Sequence, residues 1–267
     1  MENELYHYTT FEALLGILEE NNICFWGTRY DSMNDPQDYL FAQNIVIPKA
    51  IDWCYKKYGK DEANDYLEIY PYVVSFSEHG DDLNLWRFYH SQVCLILDKE
   101  LLASECTEQG LQFSKCSYSD KDDINLNISI GQTNQHLNIK SEKYIDSLME
   151  CCVFIKNKDY ETEGEWRVYK SDYGSFTMSL NPDSGDIVEK EINELPNDVR
   201  VRGIKNNDFI LYKEFKFSKA VLKGIIIYEQ SDISFQKIKK HLELILMSRK
   251  YTLPSENITK SKKVFRK

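Results

Sequence analysis

Nowhere does the chain contain a run of roughly eighteen apolar residues, the minimum for a membrane-spanning helix. The first residues, Met1-Glu2-Asn3-Glu4, have neither the basic nor the apolar region of a secretory signal. These absences lead to the expectation of a cytoplasmic protein with no membrane partner. Proline and glycine are sparse, at 6 and 11 of 267 residues, and no Pro/Gly/Ser linker or internal repeat divides the chain. One α+β domain is expected over residues 1–250, followed by a basic tail over 251–267. Cysteine numbers 7, an odd count without a Cys-x-x-Cys pair, so free thiols and no zinc site are expected. Three nucleotide and nucleophile signatures are missing: G-x-x-x-x-G-K-[ST], G-x-G-x-x-G and G-x-S-x-G. Kinase-like, Rossmann and α/β-hydrolase readings lose their support. The histidines at 7, 79, 90, 136 and 241 form no H-E-x-x-H, so no metal cofactor is expected.

The net charge of -10 and pI near 5.1 argue against a surface devoted to nucleic acid or anionic lipid, which reward basic patches. The basic exception lies between Arg249 and Lys267, where only Glu256 is acidic, and it reads as a solvated tail.

What is present is ample material for a core: 42% hydrophobic residues, with 13 Phe and 18 Tyr. Residues 5–8 read as a strand entering an amphipathic helix (Phe11, Leu14, Leu15, Leu18), with Thr9 and Glu12 as a capping box. Residues 23–26 form a second strand, and Asp35-Pro36 begins a helix toward Lys57. Strands are expected at 72–77, 93–97, 151–155, 166–169, 209–217 and 224–228, with a closing helix over 231–249. Cys151 and Cys152 would face opposite sides of their strand. Residues 120–135 read as an excursion from the core, and 181–207 as a long loop or irregular hairpin.

Polar residues collect at three places: Tyr6-His7-Tyr8-Thr9 with Asn34-Asp35-Pro36, then Ser75-Phe76-Ser77 with Asp82, Trp86 and Tyr89, then Glu161, Glu163, Glu165 and Arg167 around Trp166. Each has a structural explanation beside a functional one. Thr9 serves as a helix cap, Trp86 and Tyr89 at i,i+3 spacing suit core packing, and the glutamates with Arg167 suit the salt-bridged outer face of a half-buried strand. His7, opposite its two tyrosines, is either a satisfied structural histidine or part of a site.

The order LYHYTT, NDP, SFSE, LW and EGEWRV, with FSKAVLKGIII near the end, resembles a bacterial domain family of unknown function. The family has a glycine-containing linker after the Trp-Tyr segment, where this chain has His90-Ser91-Gln92. A second resemblance is to the ADP-ribosyltransferase superfamily, carried by His7, Ser75-Phe76-Ser77 and Glu163-Gly164-Glu165 in that order. It implies an ADP-ribosyltransferase-like fold, with mainly antiparallel sheets flanked by helices, and NAD as co-substrate. Activity would be ADP-ribosyl transfer to a macromolecular acceptor, or NAD hydrolysis, in toxin or anti-phage defence biology with an activating or neutralising partner protein.

In that reading Glu165 stabilises the oxocarbenium-like state, and Glu163, on the same strand face, prepares the acceptor. His7 bonds the adenosine-side ribose, and Thr9 is a further ligand contact. Ser75 and Ser77 shape the nicotinamide pocket, while Phe76, Trp86 or Tyr89 stacks on the ring. Arg29, Arg87 or Arg167 meets the pyrophosphate. Glu165→Gln is expected to remove activity without disturbing the fold. Two other classes stay open: a non-catalytic module binding a nucleotide, nucleic acid or protein through the same cleft, and a metal-dependent nuclease.

Overall fold

The computed structural model describes residues 3–33, 38, 40–42, 44–45, 68–120, 152–174, 178–180, 187–190, 198–205, 208–229 and 231–263. The fold is α+β, with a mainly antiparallel mixed sheet. Among these residues ten strands share one sheet. Its central members are β1 (Glu4–Thr9), β2 (Ile23–Arg29), β3 (Glu68–Ser77) and β4 (Val93–Asp98). β11 (Arg200–Lys205) and β12 (Asp208–Phe217) extend it beyond β2, and β13 (Leu222–Ile227) and β14 (Ile258–Lys260) beyond β4. The order is β11-β12-β2-β3-β1-β4-β13-β14; β8 (Glu165–Gly174) pairs with β3, and β5 (Gln112–Lys115) with β8. Off this sheet, β6 (Ser117–Ser119) runs parallel to β7 (Ile155–Asn157), and β9 (Met178–Leu180) pairs with β10 (Ile187–Lys190).

Alternation along β1 shows how sequence becomes layers. Leu5 enters the large core with Leu14, Phe25, Leu95 and Phe217, whereas Tyr6 and Tyr8 pack on the other side with Leu85, Trp86, Cys94 and Ile226. Helix α1 (Phe11–Ile17) buries Leu14 and Ile17. α2 (Leu83–Phe88) and α3 (Lys99–Glu108) are capped by Asp82 and Asp98. α4 (Asp232–Ser248) turns Phe235, Leu242 and Leu246 inward, and Ser231 caps it at Ser234 N. Cys24, Cys94, Cys106, Cys116 and Cys152 are buried free thiols. No described helix is long and apolar enough to cross a membrane.

Several sequence expectations are corrected. Thr10, not Thr9, caps α1: its hydroxyl accepts from Ala13 N at 3.2 Å, while Thr9 remains extended and pairs with Val93 in the sheet. Cys152 is helical and Val153 and Phe154 form a turn, so the strand starts only at Ile155. The described part of the carboxyl-terminal segment, 251–263, is docked rather than solvated. Ile258 lies against Ile225 in a parallel pair, Tyr251 OH donates to Asn22 O at 2.8 Å, and Ser261 Oγ donates to Asp81. Its charges misled because the apolar residues between them are few and spaced for one short strand. The proposed helix start at Asn34-Asp35-Pro36 and the excursion at 121–135 lie outside the described residues, though Asp38, 40–42 and 44–45 are helical.

The segment at His90 also has a definite answer. His90 N donates to Arg87 O and Ser91 N to Trp86 O, which closes α2 with its residue 90 left-handed at φ 46°. That conformation costs a side chain about 1 kcal/mol or more relative to glycine. His90→Gly is therefore expected to raise stability by about 0.5 to 1 kcal/mol, read as a shift of the urea midpoint; an unchanged or lower midpoint would refute this reading of the turn.

Candidate functional site

The cleft arises because β3 keeps only one of its two edges fully paired. On one edge β8 runs the whole length, from Glu68↔Gly174 to Ser77↔Glu165. On the other, β2 pairs only at Tyr72 and Val73, and β1 arrives only at Ser77. Between those contacts the strands part, and the Ser75 carbonyl is met by His7 Nδ1 at 3.0 Å instead of a ladder partner. A cavity of about 430 Å³ opens there, and its lining includes His7, Ser75, Ser77, Lys156, Glu163 and Glu165.

A carbonyl can only accept, so His7 Nδ1 carries the proton and Nε2 keeps its lone pair. The ring packs against Phe25 and Phe76, with centroids at 5.0 and 5.6 Å. Burial pushes its pKa down to about 4, and the hydrogen bond to Ser75 offsets only part of this. An unfolded histidine titrates near 6.5, so between about 6.5 and 4 the unfolded chain binds more protons. Stability is therefore expected to fall as pH drops through this window, by on the order of 3 kcal/mol from this residue. Urea unfolding at pH 7 and 4.5 should show a smaller loss in His7→Gln than in the wild type; equal losses would remove His7 as the cause.

The cleft floor is a buried charge cluster. Lys156 Nζ donates to Glu165 Oε2 at 2.5 Å and Glu163 Oε2 at 2.7 Å and lies 3.7 Å from Asp38 Oδ2. Arg167 Nε donates to Glu165 Oε1 at 2.8 Å, its Nη2 to Asp38, and its Nη1 to Val153 O at 2.5 Å. Tyr118 OH receives the Glu165 backbone N–H at 2.6 Å. Three carboxylates against two cations leave one net negative charge when all are ionised. Burial alone would raise the Glu165 carboxyl, but Arg167 and Lys156 outweigh it and hold the pKa well below the ordinary value. Burial would lower Lys156, yet Glu165, Asp38 and Glu163 hold it above its usual range. Glu163 goes the other way: burial raises its carboxyl, and Lys156 offsets only part.

Glu163 and Glu165 do not share a strand face. Glu163 ends a 3-10 turn, Lys158–Glu163, and Gly164 at φ 51° reverses the chain before β8 begins. A side chain at 164 would be strained and would meet His79 Nε2 at 2.8 Å. This reversal, not strand alternation, lets both carboxylates reach Lys156. Ser77 Oγ secures the turn by donating to Glu163 O at 2.6 Å and accepting from His79 N at 2.9 Å.

The other candidates divide. Thr9, Ser75, Phe76, Ser77 and Tyr89 line the cleft with His7, although Phe76 is only 2% exposed. Shielding at the cleft mouth and the facing Glu165 and Glu163 carboxylates raise the Tyr89 pKa. Trp86 does not line the cleft: it packs on Tyr8 and Tyr228 in the second core, and its Nε1 donates to Asp81 Oδ1 at 3.0 Å. Arg29 is turned to Asp31, at 2.6 Å, and lies outside the lining, as does Arg87. Arg167 is 1% exposed and committed to Glu165 and Asp38, so it is unavailable to a pyrophosphate. The solvated outer face expected for Glu165 and Arg167 is likewise overturned, because both are buried against Lys156 on β7 and Asp38.

Residues 85–168 match a family model described as a protein of unknown function, DUF2971. That stretch contains Tyr89, Lys156, Glu163, Glu165 and Arg167, so most of the charged floor lies inside it, while His7, Ser75 and Ser77 lie outside. It supports the resemblance to a bacterial domain of unknown function. No curated protein and no solved structure shows a significant match to the chain.

Lys156 and Asp38 are cleft residues that sequence reading missed. Lys156 carried a faint signal, a lysine directly following the apolar 151–155 run nine residues before Glu165. Asp38 carried none, because its contact with Arg167 spans 129 residues.

Proposed function

We propose that this cleft binds NAD and breaks its nicotinamide glycosidic bond in an ADP-ribosyltransferase-like reaction, with a macromolecule or water as acceptor. The observation that carries the reading is the net-negative floor around Glu163, Lys156 and Glu165, set beside neutral His7 in one cleft. As the bond breaks, both electrons leave with nicotinamide and the ribose carbon becomes oxocarbenium-like, which a fixed carboxylate stabilises. Glu163 suits that role better than Glu165. Its side chain retains 13% exposure and one lysine partner, whereas Glu165 has 4% exposure and both oxygens are occupied by cations. Glu165 is then the positioning residue, holding Lys156 and through it Glu163. The acceptor oxygen or nitrogen bonds the ribose carbon as Glu163 takes its proton. His7 Nε2 accepts from a ribose hydroxyl, and Tyr89 at the lip offers a ring to stack on a base.

This reading accords with a toxin or anti-phage effector that acts on a cellular acceptor and is governed by a partner protein. The test is incubation of purified protein with NAD, alone, with cell lysate and with any genetically neighbouring partner, following nicotinamide by chromatography. Nicotinamide release is expected. No NAD consumption in any arm would favour the second reading, a non-catalytic nucleotide, nucleic-acid or protein binding module, to which the dense pairing of Glu165 also lends itself. The nuclease reading loses ground because Lys156 Nζ sits between Glu163 and Glu165, where a divalent ion would have to bind.

A further inference from the structure

The described cleft lining contains two permanently cationic side chains, Lys156 and Arg202. Lys156 is surrounded by Glu163, Glu165 and Asp38 and has no capacity left for an anionic ligand. Arg202 differs in every respect. Among the described residues its side chain has one hydrogen bond, from Nη2 to Thr28 Oγ1 at 2.6 Å, and no carboxylate partner. Its guanidinium lies 5.7 Å from the Trp26 ring centroid and 6.0 Å from that of Tyr212. Those two rings are themselves 5.2 Å apart, and the guanidinium lies within cation–π range of both. The side chain stays solvent-exposed, and partial desolvation lowers its pKa with no acidic group to offset it among the described residues.

The backbone shows that this placement is built. Pairing between β11 and β12 shifts register between Val201↔Leu211 and Ile204↔Phe209, which inserts one extra residue at Arg202-Gly203. Gly203 takes φ 115°, although nothing lies within 4 Å of where its Cβ would be, so its glycine serves conformation and not space. A bulge re-aims the side chain beside it. Here Arg202 is directed across β12 to Thr28 on β2 and lines the cleft. Thr28 pairs with Val73, and Glu165 with Ser77 four residues further along β3. The two ends of the cleft are thus about 13 Å apart along that strand before side chains reach inward.

We propose that Arg202 is the phosphate anchor of the cleft and that its ligand carries a nucleoside diphosphate group. An unpaired guanidinium presents paired N–H donors matched to phosphate oxygens, and the carboxylate-rich far end repels a second anion while accepting a neutral or cationic group. The choice of a nucleotide rests on the NAD reading above; the anchor itself rests on the bulge, the rings and the lack of a carboxylate partner among the described residues.

The test is calorimetric titration of the whole protein with ADP, ADP-ribose and adenosine, on wild type, Arg202→Gln and Arg202→Lys. ADP and ADP-ribose should bind at least about tenfold more tightly than adenosine. Arg202→Gln should lose that margin with adenosine binding unchanged, and Arg202→Lys should restore only part, lacking the planar fork. Thermal unfolding of both variants should stay near wild type, because Arg202 forms no ion pair among the described residues. ADP binding no tighter than adenosine, no ADP binding at all, or ADP affinity unchanged in Arg202→Gln would each overturn the anchor. Failure of the NAD reading is separable: Arg202-dependent ADP binding without nicotinamide release leaves the anchor standing and removes the reaction. Nicotinamide release with an unchanged KM in Arg202→Gln removes the anchor alone.

Discussion

Glu163→Gln is expected to lower nicotinamide release by about a hundredfold or more, the usual cost of removing one preorganised electrostatic contact to a developing charge. Gln preserves the shape and can still accept from Lys156, but it cannot offset positive charge on the ribose or take the acceptor's proton. The fold should tolerate the change, because Lys156 keeps Glu165 at 2.5 Å and Asp38 at 3.7 Å. The loss should therefore lie in kcat, with NAD affinity close to wild type. The wild-type rate should also fall on the acid side at a higher pH than an ordinary glutamate would give, since burial raises the Glu163 pKa. This limb should vanish from the residual activity of the variant. Single-turnover nicotinamide release across pH gives both readouts; unchanged turnover in Glu163→Gln would reject the assigned role.

Glu165→Ala should have the largest effect on stability, about 3 to 5 kcal/mol, because it strips the shared carboxylate from two buried cations. Lys156 and Arg167, with side chains 6% and 2% exposed, would be left to Asp38 and Glu163. Glu165→Gln would also destabilise, since neutralising a paired buried charge abandons the same cations. The sequence-based expectation of a harmless substitution therefore gives way. The sign with pH is fixed. Glu165 has a depressed pKa in the fold, so its contribution is present above the unfolded glutamate pKa and is lost as pH falls toward the folded one. That window lies below the one assigned to His7, so the two can be separated in one series of urea titrations. A Glu165→Ala protein with a wild-type midpoint would show that the cluster contributes nothing net. Adding Lys156→Met and Arg167→Met to Glu165→Ala should recover part of the loss, because the uncompensated charges go with it.

Much of the site was legible in the chain as residue types but not as roles. His7, Ser75, Ser77, Glu163 and Glu165 could be named from strands and short motifs, and all five line one cleft. Their division of labour could not, because it depends on which carboxylate Lys156 and Arg167 neutralise. Trp86 illustrates the same limit in reverse. Its spacing with Tyr89 fits either core or stacking platform, and only the position of Tyr8 and Tyr228 beside it decides for the core.

The sequence by itself determined the α+β class, the strands at β1 to β4, β8, β12 and β13, and the closing helix, because alternation and one-face spacing are local properties of the chain. The tertiary structure decided where β3 loses its neighbours, that Gly164 folds two glutamates onto one lysine, that 251–263 docks on the sheet, and that Arg202 has no carboxylate partner among the described residues. Each depends on groups far apart in sequence meeting away from water, where pairing sets the energy of a charge, and no local pattern records which partners will meet.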